Sequence, residues 1–155
     1  MNDLLTVLAA NAGVYVGRGV NYEQEAFTGR MHVQPLVGGL AVMLHYTAAR
    51  EDGARVHEEA TLLARSPAGS LCLWPVMEEL PAVVPHEAVA GSVQSGGMEY
   101  VQVFASGERS ARESFREEIT LAVKADGTLV YSHAWGMPGG EFGERSSCEM
   151  RRTET

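Results

Sequence analysis

Five histidines and twenty acidic residues carry most of the reactive chemistry in this 155-residue chain, and their spacing limits what that chemistry is. His57-Glu58-Glu59-Ala60-Thr61 begins like the helical His-Glu-x-x-His zinc motif but ends in Thr, and His86-Glu87-Ala88-Val89-Ala90 fails in the same way. The first run also falls in a strand-like segment, where residues four apart do not form that pair of ligands. Metalloprotease chemistry is therefore set aside. What remains is histidine beside carboxylate, which can exchange protons as acid and base or fix a polar group of a bound molecule. No phosphate loop, Gly-x-Ser-x-Gly elbow or dinucleotide fingerprint is present. Cys72 and Cys148 are spaced like no metal site and read as free thiols. No metal is expected.

The elements that position these residues follow from two turns. Glu51-Asp52-Gly53 and Ala125-Asp126-Gly127 each separate runs of alternating polarity, a short-range signal for a β-hairpin in which glycine supplies the positive φ. Strands are expected at 13–21, 26–36, 40–49, 55–65, 70–77, 82–95, 98–105, 112–124, 128–136 and 142–152, jointed by Gly, Pro and Asp. The joints include Pro67-Ala68-Gly69, Gly96-Gly97 and Pro138-Gly139-Gly140. A short helix over 3–10, capped by Asn2 or Asp3, precedes them. Ten short antiparallel strands raise an edge problem that closure solves. The reading is all-β, one domain: a ten-stranded up-and-down barrel with a short N-terminal helix, a two-sheet sandwich being the rival. Pro75 marks a bulge or an edge.

A three-residue loop at 125–127 sets Val123 against Leu129, Leu121 against Tyr131, Ile119 against His133 and Glu117 against Trp135. One face then collects Phe115, Glu117, Ile119, Leu121, Val123, Leu129, Tyr131, His133 and Trp135, while Arg116, Glu118, Lys124 and Ser132 lie on the other. Glu117, if inside, needs a cationic or histidine partner. The same loop at 51–53 places His45 opposite Glu59 and leaves two readings open. Either Leu40, Val42, Leu44 and Tyr46 line the core and the His/Glu/Thr face is solvated, or His45, His57, Glu59 and Thr61 form a polar site in the lumen. Trp74 lies at the cavity mouth or on the outside against another subunit. His32 and His86 are expected in solvent.

Composition narrows the function classes. Apolar residues make up 45% and charged residues 21%, ordinary for a globular domain. A net charge of −8, with Arg151-Arg152 the only adjacent basic pair, argues against nucleic acid. The run Leu4 to Ala10 is short, with Asp3 where a signal peptide carries positive charge, and no stretch reaches membrane-span length. A cytoplasmic protein is the expectation, with no membrane partner.

Gly13-x-Tyr15-x-Gly17 after a helix, followed by a ten-strand meander, resembles the calycin superfamily of lipocalins and fatty-acid-binding proteins, and most nearly small bacterial nitrobindin-like barrels. The resemblance covers nearly the whole chain as a pattern of lengths and turns. It implies that Tyr15 packs beneath Arg151 or Arg152, and that His57-Glu58-Glu59 matches a His-x-Glu pattern near the cavity on the fourth strand. Nitrobindin holds haem through a histidine on its last strand. Here that strand, 144–151, has none, leaving Cys148 or Met150 as iron ligands. No cofactor is expected, haem being the one candidate.

The resulting expectation is binding of a small, mostly apolar ligand in the lumen, contacted by Tyr46, Trp74, Tyr100, Phe104, Tyr131 and Trp135. His133, Glu117, His57, Glu59 and His45 would orient it. The alternatives are an isomerase, dehydratase or hydrolase using a lumen His/Glu pair, and a filled barrel acting as a homodimer through the outer faces of 40–49 and 70–77.

Overall fold

The computed structural model describes residues 3–90 and 100–153. It is all-β apart from helix α1 (Leu4–Ala10) and one 3-10 turn (Val37–Gly39). Asp3 caps α1, its carboxylate accepting from the Thr6 N–H at 3.1 Å, which satisfies a donor the first helical turn leaves free. Ten strands follow: β1 (Gly13–Asn21), β2 (Ala26–Leu36), β3 (Ala41–Ala49), β4 (Arg55–Arg65), β5 (Leu71–Met77), β6 (His86–Ala88), β7 (Tyr100–Ser106), β8 (Arg116–Val123), β9 (Leu129–Gly136) and β10 (Gly143–Arg152). Each pairs antiparallel with its sequence neighbour, and β10 returns to β1, so the sheet is a closed barrel.

Both Asp-Gly loops adopt the expected form. Gly53 and Gly127 sit at φ 86° and 88°, and Asp52 and Asp126 each accept from the backbone N–H two residues on, at 2.9 Å. The β8–β9 register is as anticipated, with Ile119 opposite His133 and Glu117 opposite Trp135. In the β3–β4 hairpin the pairing slips by one residue past the turn. Ala49 faces Arg55 but Ala48 faces His57, leaving Val56 as the extra residue of a β-bulge. Beyond the bulge Glu59 faces Tyr46, and His45 faces Ala60. Because side chains alternate with period two, that one residue moves His57, Glu59 and Thr61 to the same face as Val42, Leu44 and Tyr46. The two readings of this hairpin are thereby combined: the apolar face of β3 and the polar face of β4 both point inward.

Two expectations are corrected, and Arg116 keeps its expected face with an added burial. The strand at 82–95 is reduced to β6, and the part from 91 onward, with the Gly96-Gly97 turn and residues 98–99, lies outside the described residues. His86 is fully buried rather than solvated. Arg116 lies on the outer face of β8 yet is buried, because its guanidinium donates to the carbonyls of Arg109, Ser114, Met137 and Gly140 at 2.8–3.2 Å. It thus ties together the loops 107–115 and 137–142. Pro75 lies past the short β5–β6 pairing, which spans Cys72 and Leu73, consistent with an edge position.

The register orients the interior. Helix α1 closes the end where β4 finishes and β10 ends: Asp3 pairs with Arg65 at 2.6 Å, and the Arg152 guanidinium donates to the Ala12 carbonyl at 3.0 Å. Tyr15 sits opposite Arg152 in the β1–β10 ladder and donates to the Asn11 carbonyl at 2.7 Å. Leu4, Leu5 and Leu8 join Met31, Val33, Leu44, Leu63, Leu73, Phe104, Leu121, Leu129 and Met150 in one continuous apolar core. At roughly 25 cal/mol per Å² of apolar area removed from water, this core is the main source of stability. Polar side chains inside the barrel gather towards the other end.

Candidate functional site

Two polar clusters occupy that end. The larger is built on Glu59, the third residue past the Val56 bulge and only 1% exposed. Its Oε2 accepts from the Tyr131 hydroxyl and from the Thr61 hydroxyl, each at 2.7 Å. Its Oε1 lies 3.0 Å from His57 Nε2 and 3.1 Å from His133 Nε2. The other ring nitrogen of His57 meets Glu79 Oε1 at 2.9 Å. The contact to His133 is close enough for Coulombic attraction but is misaligned for a hydrogen bond. His133 Nε2 is therefore a buried nitrogen with no hydrogen-bond partner, in a side chain only 9% exposed. Edge-on ring contacts pack the group: Tyr46 on Tyr131 at 4.9 Å, Tyr131 on His133 at 4.8 Å and His57 on His133 at 5.7 Å between centroids.

The electrostatics follow from burial and pairing. Burial strongly disfavours a charged Glu59, yet the nearby His133 charge, together with the hydrogen bond and charge of His57, holds its carboxyl well below the ordinary range. Burial likewise opposes the charged form of His57. The hydrogen bonds and charges of Glu59, and then of Glu79, outweigh it and raise His57 to about 9. Tyr131 is pushed well above its ordinary value, first by burial and then by the Glu59 charge, so its hydroxyl stays protonated and serves as a fixed donor. Tyr46 moves the same way through burial, with Cys148 and Glu59 adding to it.

The second cluster is His86 and Glu117. His86 Nε2 lies 2.8 Å from Glu117 Oε1, with side-chain exposures of 0% and 4%, and His86 Nδ1 donates to the Val84 carbonyl at 2.8 Å. Glu117 thus has the histidine partner its burial demands, supplied by β6 rather than by His133.

The remaining candidates separate. His45 points outward, half exposed, and pairs with Glu58 at 2.7 Å. Trp74 stands opposite Leu62 on the outer face. Phe104 belongs to the apolar core, and the partly buried Tyr100 packs against it. Trp135 sits at the rim, where the Arg145 guanidinium stacks on its ring at 4.4 Å and Tyr22 meets it edge-on at 6.4 Å. Cys148 and Met150 are buried, with Cys148 Sγ 2.5 Å from where a Gly29 side chain would begin. Of the predicted residues, then, Tyr46, His57, Glu59, Tyr131 and His133 converge, with Thr61. Glu79 and His86 were missed. Glu79 lies in a connection with no periodicity to orient it, and the short β6 offered too little alternation to show which way His86 faces.

The class defined by fold and site is a closed ten-strand antiparallel barrel with a buried His/Glu/Tyr cluster towards one end. The crystal structure of Rv2717c from M. tuberculosis has the same fold, with a TM-score of 0.75 over 97% of each chain at 15% identity. No family model and no curated protein sequence matches the chain. Among the described residues, no helix is long and apolar enough to cross a membrane.

Proposed function

We propose that this calycin-like barrel binds a small molecule whose polar group meets His57, Glu59, His133 and Tyr131 at the end away from α1. The observation that carries the reading is the unpartnered Nε2 of His133. A buried polar atom without a partner costs about 1–3 kcal/mol, and such orphans in native proteins mark functional sites or unseen ligands. His57, 18% exposed, gives the cluster a polar edge to solvent. Much of the lumen is filled by the barrel's own side chains, among them Phe104, Met31, Leu44 and Leu73, all fully buried. The proposed ligand meets the cluster from its edge at His57 and is smaller and more polar than the small, mostly apolar ligand the sequence suggests.

Native mass spectrometry of the purified protein, followed by denaturing extraction, tests this. A co-purifying mass that is absent from His133→Ala supports it. An apo mass, together with His133 and Tyr131 ring resonances that no library compound shifts, refutes it. A second reading, a filled barrel acting as a homodimer, draws on the outer face at Trp74 and Val76, the latter 56% exposed. It predicts a concentration-dependent dimer that Val76→Glu dissolves.

A further inference from the structure

We propose that His57 Nε2, Glu59 Oε1 and His133 Nε2 form a site for one divalent first-row transition-metal ion. This deepens the preceding reading, since it assigns the same cluster an inorganic ligand. The three donor atoms lie within 4.8 Å of one another, and the two nitrogen–oxygen separations are 3.0 and 3.1 Å. An ion about 2.1 Å from two donors at right angles holds them about 3.0 Å apart, and a tetrahedral ion about 3.4 Å, so Glu59 Oε1 is spaced correctly from both nitrogens. The two nitrogens lie within 4.8 Å of each other, and a tetrahedral ion would draw the rings in until they stand about 3.4 Å apart.

The donor types fit as well. Two imidazoles and one carboxylate, with positions left over, suit Zn(II) or non-haem Fe(II). The surrounding groups do what ligand-orienting groups do elsewhere. Glu79 sits on Nδ1 of His57 at 2.9 Å, the carboxylate–histidine arrangement that fixes a ligating ring and raises its basicity. Tyr131 and Thr61 both donate to Glu59 Oε2, which turns Oε1 alone towards the two nitrogens. A purely hydrogen-bonded core explains the contacts of His57 and Glu59 but leaves His133 Nε2 without a hydrogen bond. A metal ion satisfies that nitrogen directly. Three protein donors leave at least one coordination position for water or a small exogenous ligand.

The test is titration of the chelator-stripped full chain with Co(II), read by visible absorption, and with Zn(II), read by calorimetry. One equivalent should bind with a Kd below about 10 μM. Glu79→Gln, which keeps all three donors, should weaken binding about 10–100-fold. His133→Ala should abolish it, while His45→Ala, on the outer face, should leave it unchanged. Because Glu59→Gln removes a buried charge and endangers folding, His133→Ala is the deciding variant. No stoichiometric binding, or wild-type affinity in His133→Ala, overturns the proposal. If the metal titration is silent while an organic mass co-purifies, the metal site falls and the small-molecule reading stands. Metal binding without any organic ligand gives the reverse.

Discussion

Replacing Glu59 by Gln tests the electrostatic account of the cluster most directly. The change keeps the side-chain shape and removes the charge that opposes two histidines. His57 is held at about 9 against an ordinary 6.5, and at about 1.4 kcal/mol per pH unit that difference is worth about 3 kcal/mol. Because the folded value lies above the unfolded one, this stability is fully present below pH 6.5 and is lost as the pH rises through about 9. The lowered Glu59 value is the same contact seen from the other side. Its contribution is present above the ordinary carboxylate value of 4.5 and is lost as the pH falls through the lowered one, and the two are not added. Near pH 6, removing one member of a buried pair should cost about 3–5 kcal/mol, or on the order of 10 °C in Tm for a chain of this size. Near pH 10, above the His57 value, the gap should shrink, because a neutral His57 no longer rewards the Glu59 charge. Urea unfolding of both proteins across this range, in the presence of a chelator, measures the gap. A gap below about 1 kcal/mol near pH 6, or one that does not change with pH, refutes the reasoning.

Three further perturbations probe how the barrel is held. In Gly17→Ala the new Cβ would stand 1.8 Å from the Glu149 carbonyl oxygen, so β1 and β10 must separate. A loss of about 3 kcal/mol or more is expected, against about 1–2 for Gly53→Ala, where only the positive φ resists, and thermal melts compare the two. Arg116→Met should cost about 3 kcal/mol and speed amide exchange in loops 107–115 and 137–142, because four carbonyls lose a charged donor; unchanged exchange there would contradict that role. His86→Leu should destabilise by about 3–5 kcal/mol by leaving Glu117 buried alone, and His86→Leu with Glu117→Leu should recover most of the loss, as a denaturant double-mutant cycle would show.

Much of the barrel was legible because its turns are local chemistry. Asp-Gly loops, helix capping by Asp3 and strict alternation in β8 and β9 each depend on residues a few positions apart. The inner face of 115–135, including His133 and Glu117, followed from one turn. The partners of those two residues did not, because His86 on β6 reaches Glu117 on β8 across β7, and Glu59 reaches His133 across the lumen from β4 to β9. Neither pairing leaves a periodic trace. Alternation also put Arg116 on the correct face, but not its burial, which comes from loops folding over that face.

The β3–β4 hairpin shows where the site's existence is decided. Its turn residues were read correctly, and the pairing next to the turn, Arg50 with Ala54, follows from them at 2.9 Å. One additional residue, Val56, 45% exposed, then rotates the rest of β4 by one position. Without the bulge, the face of β4 opposite Leu44 and Tyr46 would carry Glu58 and Ala60, while His57, Glu59 and Thr61 would lie in water. The inward aim of His57, Glu59 and Thr61 therefore depends on Val56 being left out of the ladder rather than paired in it. Bulges beside functional sites re-aim side chains in this way. Deleting Val56 should therefore remove the bulge yet leave His57 opposite Ala48 and Glu59 opposite Tyr46, so the Tyr131 and His133 ring resonances should stay close to those of the parent protein; large shifts in both would refute this account of the register.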